Sequence, residues 1–322
     1  MNTQSDAIIY DRIALIGVGL IGGSVARAVR KLGLANEIYG YSRREETRDQ
    51  IRELGLCDRV FTTAKDAVVR ADLVILCTPV QTFSAIAEEI APFMKAGATI
   101  TDVGSVKGSV VQDLEAHMPD HVNIVAGHPI AGTEYSGPDS GFAELFQNRW
   151  HILTPSANAQ VQAIEQLSNF WQAMGAEVEI MTPSHHDLVL ATTSHVPHLI
   201  AYTLVGAASG MENSLQSEII KFSAGGFRDS TRIAASDPTM WRDIFLTNPE
   251  AVLEVLGQFE QELAKLKSAI TSADGDTMFE TFTKTRAVRK AIVEAGQAGH
   301  FDPRERDTSS LTDDGFLSMY GD

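Results

Sequence analysis

Residues 12–33 read RIALIGVGLIGGSVARAVRKLG, and the way this stretch divides decides the fold. Arg12 to Ile16 is a short apolar run with strand character. Gly17, Gly19 and Gly22 stand in GxGxxG spacing, and SVARAVRKLG is a helical pattern that ends at Gly33. The spacing has a mechanical reason. The first glycine permits the tight turn, the second lets backbone approach a pyrophosphate, and the third lets helix and strand pack closely. The new helix then points its free amides at the phosphates, so Gly17, Gly19, Leu20, Ile21 and Gly22 are the expected dinucleotide contacts.

Outward from this turn the same alternation continues. Strand patterns lie at Glu37–Tyr41, at Leu73–Cys77, at ATITDVG from Ala98, at IVAG before His128, at HILT from His151 and at EVEIM. Helical patterns separate them at about 44–54, 82–93 and 160–174. Short strands alternating with helices predict βαβ units, a parallel sheet with helices on both faces, and a Rossmann-type dinucleotide-binding domain over residues 1–182. Past Met181 the strand signals stop. Thr182-Pro183, Asp237-Pro238 and Asn248-Pro249 read as capping residues followed by first-turn prolines. An all-helical substrate and dimerisation domain is expected over 183–298, followed by a polar tail at 299–322 with the composition of a disordered segment. HLIAYTLVGAASGM carries more apolar surface than one amphipathic face needs, which suits a subunit interface.

Composition narrows the function. The chain has 322 residues, a net charge of −16, 44% hydrophobic and 21% charged residues, as expected of a packed globular protein. A pI near 4.9 argues against nucleic acid or an anionic membrane as partner. Cys57 and Cys77 form no disulfide framework, and Cys77, in ADLVILCTP, reads as a buried thiol. The N-terminus lacks a signal-peptide pattern and no apolar segment approaches the length of a membrane span, so the cytosol is the expected compartment.

Cofactor choice is set at the end of the second strand. An NAD-type site carries Asp or Glu there for the ribose hydroxyls; this chain has Tyr41-Ser42-Arg43-Arg44. Two cations in place of a carboxylate suit the 2′-phosphate of NADP, although both could instead lie on a solvated helix start. Thr78 and Pro79, at the next strand end, are expected along the cofactor.

Four further segments carry chemistry. TDVGSVKGSVV holds Ser105 and Lys107 in a strand-to-helix turn. GHPIAGTEYSGP puts His128 and Glu134 in a glycine- and proline-rich loop after a strand. SHVPHLIAY spaces His195 and His198 along a helix, and SAGGFRDSTRIAASDPTMWRDIF gathers Arg228, Arg232, Trp241 and Arg242. A neutral histidine at the carboxyl edge of the sheet can take a hydroxyl proton as hydride leaves the same carbon, and a guanidinium can hold a carboxylate bidentately. Bland readings stand beside these: His195 as a packed histidine, His185 and His186 as solvated residues opening a helix, Lys107 as a helix cap, and Arg228 and Arg242 as partners of Asp229 and Asp243.

Taken together, GHPIAGTE, SHVPH and GGFRDSTRIAASDPTMWRDIF closely resemble the prephenate and arogenate dehydrogenase family, the cyclohexadienyl dehydrogenases of tyrosine biosynthesis, from GVGLIGGS to about residue 295. The resemblance implies oxidative decarboxylation of a cyclohexadiene acid: hydride leaves C4 for the nicotinamide and the ring carboxylate departs as carbon dioxide. It implies that His128 takes the proton of the 4-hydroxyl, with Ser105 as second partner. Arg232 would hold the ring carboxylate, while His198 and Gly225 would face the pyruvyl or alanyl side chain. Trp241 would close the pocket, from its own or a neighbouring subunit, and Glu134 would gate or polarise it. The anionic small molecule is thus the expected ligand, a homodimer the expected assembly, and prephenate the expected substrate with arogenate also accepted. Neither a fused chorismate mutase nor a regulatory ACT domain is expected. A β-hydroxyacid dehydrogenase, which would need a helical-domain lysine such as Lys221, and a dinucleotide-sensing protein without turnover remain the alternatives.

Overall fold

The computed structural model describes residues 8–133, 135–210 and 225–294. The chain divides into two compact units between Gly257 and Gln258. Lys221 and Glu134 lie outside the described residues.

The first unit opens with β1 (Tyr10–Ile16), α1 (Leu20–Leu32), β2 (Ala35–Tyr41), α2 (Glu45–Glu53), β3 (Arg59–Phe61), α3 (Ala64–Val68) and β4 (Leu73–Leu76). It continues with α4 (Phe83–Ile90), β5 (Thr99–Asp102), α5 (Gly108–His117), β6 (Asn123–Pro129), β7 (Trp150–Pro155), α6 (Val161–Ala173) and β8 (Glu177–Ile180). The strands form one sheet in the order β3-β2-β1-β4-β5-β6-β7-β8. The order reverses between β1 and β4, and doubly wound sheets bind ligands at the strand ends beside such a reversal. Two apolar layers cover the sheet. One face packs Val25, Ala28 and Val29 of α1 against Leu167, Phe170 and Trp171 of α6. The other packs Ala64, Phe83, Ala87 and Leu114, from α3, α4 and α5, together with Trp241 and Ile244.

Three features depart from the sequence reading. The sheet is not wholly parallel, because β6 and β7 pair antiparallel while the other six pairings are parallel. A parallel return needs a crossover, usually a helix; residues 130–149 supply none among the described residues, so the chain comes back beside β6 in reverse. β3 and α3 went unread because the strand has three residues, although Thr63 caps α3 by accepting from the Asp66 N–H at 3.3 Å. Cys77 is only partly buried.

The helices that follow are α7 (Pro183–Leu190), α8 (Val196–Ser209), α9 (Gly225–Thr231), α10 (Pro238–Thr247), α11 (Pro249–Thr271) and α12 (Gly275–Glu294). A π-helical turn, Ala191–His195, joins α7 to α8. Thr182 and Asp237 accept from the N–H groups of His185 and Met240, as capping residues should. Asn248 instead turns its amide to the Asp187 carbonyl at 3.0 Å. The run Pro183–Ser209 spans 27 residues at a mean hydropathy of 1.3, so one helix is long and apolar enough for a bilayer, against expectation. It also carries buried His186, Asp187 and His195, whose partners lie within the protein.

Candidate active site

The β1–α1 turn has the shape a dinucleotide pyrophosphate requires. Gly17 has φ +94°, and a Cβ there would meet Thr78 Cγ2 at 2.5 Å, which places the glycine turn against the end of β4. A Cβ on Gly22 would lie 2.8 Å from the Gly17 carbonyl oxygen, so a side chain at that position would push α1 off its strand. Gly19 meets nothing within 4 Å and its backbone is open to a ligand. No acidic residue stands in the first turn of α1, and no side chain caps it, so the amides around half-buried Leu20 and Ile21 keep their field. These residues fit a dinucleotide. At the end of β2, Arg48 donates to the carbonyls of Ser42 and Arg43 at 2.9 and 2.8 Å and so shapes the turn, leaving Arg43 and Arg44 exposed. Half-buried Thr78 and exposed Pro79 follow β4 beside this cradle.

A second cluster lies at the carboxyl ends of β5 and β6. Asp102 is fully buried; its carboxylate accepts from the N–H groups of Gly104 (2.7 Å) and Gly127 (3.0 Å) and from the ammonium of Lys107. Lys107 also donates to the Gly127 carbonyl at 2.7 Å. Lys107 occupies the capping position of α5 but does not cap with its side chain, contrary to the sequence reading: its ammonium is wholly buried against Asp102. Burial pulls its pKa down, with Asp102 opposing. Half-buried Ser105 sits in the same turn.

His128 is buried inside β6, not in the loop after it. Its Nδ1 lies 2.9 Å from Nε2 of His186, and Nδ1 of His186 lies 2.8 Å from the Asp187 carboxylate. The other donors to Asp187 are the Lys107 and Gly108 N–H groups, each at 2.8 Å, so Asp187 caps α5. Burial alone would raise the Asp187 carboxyl, but these hydrogen bonds outweigh it and hold the group below the usual carboxylate range. An ionised Asp187 can only accept, so His186 donates from Nδ1 and accepts at Nε2; His128 therefore donates from Nδ1 and carries its lone pair on Nε2. Burial first, then the charges of His186 and Lys107, keep His128 neutral well below the ordinary imidazole range. A neutral imidazole with a free lone pair is a proton acceptor.

His186 was read from sequence as solvated, and the structure reverses this: it is fully buried, while His185 is exposed. No local motif marks His186, because its partner His128 lies 58 residues away in the chain. His195 is buried as well, contacts the Asn248 amide at 3.3 Å, and is lowered to about 4 by burial. His198 donates from Nδ1 to the Ser194 carbonyl at 2.8 Å and stacks on Trp241 at 3.6 Å between ring centroids. Trp241 thus packs on a histidine of its own chain. Exposed Arg232 opens a 3₁₀ turn close enough to lower the pKa of His198. Gly225 begins α9 and is exposed. Arg242 pairs with buried Asp243 at 2.6 Å.

Family models match in two blocks: the nucleotide-binding domain of prephenate dehydrogenase over residues 25–180 and its dimerization domain over 182–284. A cyclohexadienyl dehydrogenase of Zymomonas mobilis is 46% identical over 284 residues, covering 88% of this chain and 97% of the relative. A solved prephenate dehydrogenase from A. aeolicus, in complex with hydroxyphenyl propionate and NAD+, is 37% identical with a TM-score of 0.82, covering 88% of this chain and 98% of that one. The arogenate dehydrogenase of Synechocystis is 27% identical with a TM-score of 0.76, covering 87% and 99%.

Proposed function

The chain belongs to the prephenate dehydrogenase family, and from that premise we propose that it oxidatively decarboxylates prephenate, L-arogenate or both with a nicotinamide dinucleotide. The observation that carries this reading is the His128–His186–Asp187 relay, which leaves a neutral imidazole with its lone pair on Nε2. His128 accepts the 4-hydroxyl proton as C4 becomes carbonyl-like, and the positive charge that develops is shared through His186 toward the Asp187 carboxylate. When bound, the nicotinamide ring supplies the acceptor for the hydride that leaves C4. Loss of the C1 carboxylate then aromatises the ring, giving 4-hydroxyphenylpyruvate or L-tyrosine. Ser105 is a second partner for the hydroxyl. Arg232 holds the ring carboxylate, His198 and Gly225 face the side chain, Trp241 walls the pocket through His198, and Glu134 gates or polarises the site.

Residues 1–182 hold the dinucleotide through Gly17, Gly19, Leu20, Ile21, Gly22, Thr78 and Pro79; residues 183–298 supply substrate groups and the dimer face. Exposed Arg43 and Arg44 favour acceptance of NADP beside NAD. We place the enzyme in the cytosol as a homodimer. The relay, and the Arg232 guanidinium near His198, favour turnover over passive dinucleotide sensing. Steady-state rates with prephenate and with L-arogenate, each with NAD and with NADP, test the reading. Turnover of either substrate supports it, whereas folded protein that binds dinucleotide and turns over neither would overturn it.

A further inference from the structure

The first turn of α1 does more than face a pyrophosphate. Ser24, one turn beyond Leu20, is fully buried, and its hydroxyl is used twice. It donates to the Leu20 carbonyl at 2.8 Å and accepts from the Phe142 N–H at 3.1 Å. Both roles are fixed, because a carbonyl only accepts and an amide N–H only donates. Backbone packs on backbone at the same place. A Cβ on Gly141 would meet the Ser24 nitrogen at 2.8 Å, the Gly23 carbonyl carbon at 2.9 Å and the Leu20 oxygen at 3.1 Å. A Cβ on Gly23 would meet the Pro138 oxygen at 3.0 Å. Glycines on both sides let residues 138–142 lie directly against residues 20–24.

The same stretch of chain begins at the strand that carries the base. β6 ends with His128 and Pro129, and the next amide, that of Ile130, donates to the Trp150 carbonyl at 2.8 Å. Between this anchor and the one on α1 runs an arch. Among the described residues its hydrogen bonds are local, from the Tyr135 N–H to the Thr133 hydroxyl at 3.3 Å and from the Ser140 hydroxyl to the Ser136 carbonyl at 2.9 Å. Ala131 touches the apolar layer, whereas Tyr135 is 67% exposed. Beyond Phe142 the core takes hold again: Leu145 and Phe146 are buried, and Phe146 packs edge-on against Trp171. The arch is therefore positioned by the strand of His128 at one end and by the first turn of α1 at the other. Close-packed backbone leaves no slack to absorb a shift of that turn.

Resting on the function proposed above, we propose that Ser24 is a positioning residue that couples the two ligands of the site. Phosphates drawn to the amides of residues 19–22 fix the first turn of α1. Ser24, seated against Gly141, passes that position to the arch beside His128. Substrate then binds more tightly to the dinucleotide-loaded protein than to the free one, and the dinucleotide gains by the same factor when substrate is bound. The hydrogen bonds of Ser24 reach neither His128 nor its relay, so the residue acts on binding and not on proton transfer.

The test is calorimetry with 4-hydroxyphenylpyruvate and oxidised NAD or NADP, whichever binds the more tightly, a pair between which no hydride moves. In the wild type, saturating dinucleotide should lower the Kd of 4-hydroxyphenylpyruvate by about fivefold or more, the usual scale of coupling between sites. In Ser24→Ala that factor should fall below about twofold, with the Kd of each ligand alone within about threefold of wild type. Gly141→Ala presses on the same contact from the arch side, should also abolish the coupling, and serves if Ser24→Ala does not fold. In kinetics at saturating dinucleotide, Ser24→Ala should raise the KM for prephenate by about fivefold and leave kcat within about twofold. Chymotrypsin reads the arch directly: dinucleotide should slow cleavage after Tyr135 in the wild type, and Gly141→Ala should lose that protection. Equal affinity for 4-hydroxyphenylpyruvate with and without dinucleotide in the wild type, or a coupling factor that persists in the variants, overturns the role of Ser24 and leaves the reaction standing. Binding of neither ligand, with turnover of neither substrate, overturns the reaction as well.

Discussion

At the residue scale, the base and its supports are separable by what each one touches. His128→Asn should lower kcat by about 10²- to 10⁴-fold, the usual range for loss of a general base; a rate within twofold of wild type would remove His128 from the mechanism. Asp187→Asn replaces an acceptor by a group that must turn an NH₂ toward existing donors. It should depress kcat by about 10²- to 10⁴-fold with little change in KM, because the tautomer of the pair is lost, and it should also shift the acid limb of the rate profile. A fall in thermal stability with an unmoved pH profile would reduce Asp187 to a helix cap. Arg232→Ala should act mainly on KM, and unchanged KM and kcat/KM would exclude it as the carboxylate clamp. Candidate positions such as His128, Arg232 and His198 were legible in the sequence because motifs mark them. His186 and Asp187 were not, since their partners sit 58 and 79 residues away.

At the element scale, the glycine turn and the central strands do different work. A side chain at Gly19 meets open space, whereas one at Gly22 meets the Gly17 carbonyl at 2.8 Å. Gly19→Ala should therefore leave the melting temperature of the free protein unchanged while weakening dinucleotide binding by tenfold or more, and Gly22→Ala should lower both. Equal effects of the two substitutions on stability would show that the third glycine does not seat α1 on its strand. Periodicity and the glycine spacing were enough to read β1, α1 and β2. The direction of β7 was not readable in this way: a short apolar strand carries no mark of its neighbour's polarity, which depends on how the chain between them returns. Likewise His128 looked like a loop residue beside Pro129, yet pairing with Ile152 draws it into β6.

At the scale of the whole molecule, burial of imidazoles makes stability depend on pH. His128, His151, His186 and His195 are all held below the ordinary imidazole value, with burial as the first cause. A folded-state pKa below the unfolded one means that the unfolded chain binds more protons in the window between them, so stability is full above about pH 6.5 and is lost as pH falls. His195, lowered to about 4, accounts by itself for about 3 kcal/mol across that window. Urea midpoints should hold from pH 7.5 to about pH 6.5 and fall steadily from there to pH 5, and a constant midpoint would show that these rings take up protons in the fold. Assembly is the second property at this scale. Leu263 and Phe279 are 53% and 73% exposed on α11 and α12. Sedimentation should give a dimer that Leu263→Glu dissociates, and a wild-type monomer would leave those faces without a partner. From sequence alone came the glycine-rich turn, the two-part organisation and the family motifs, because each is encoded by local spacing and side-chain type. The reversed strand, the burial of His186 and Lys107, and the tautomer of His128 were decided only by tertiary structure, because each depends on how distant parts of the chain come together.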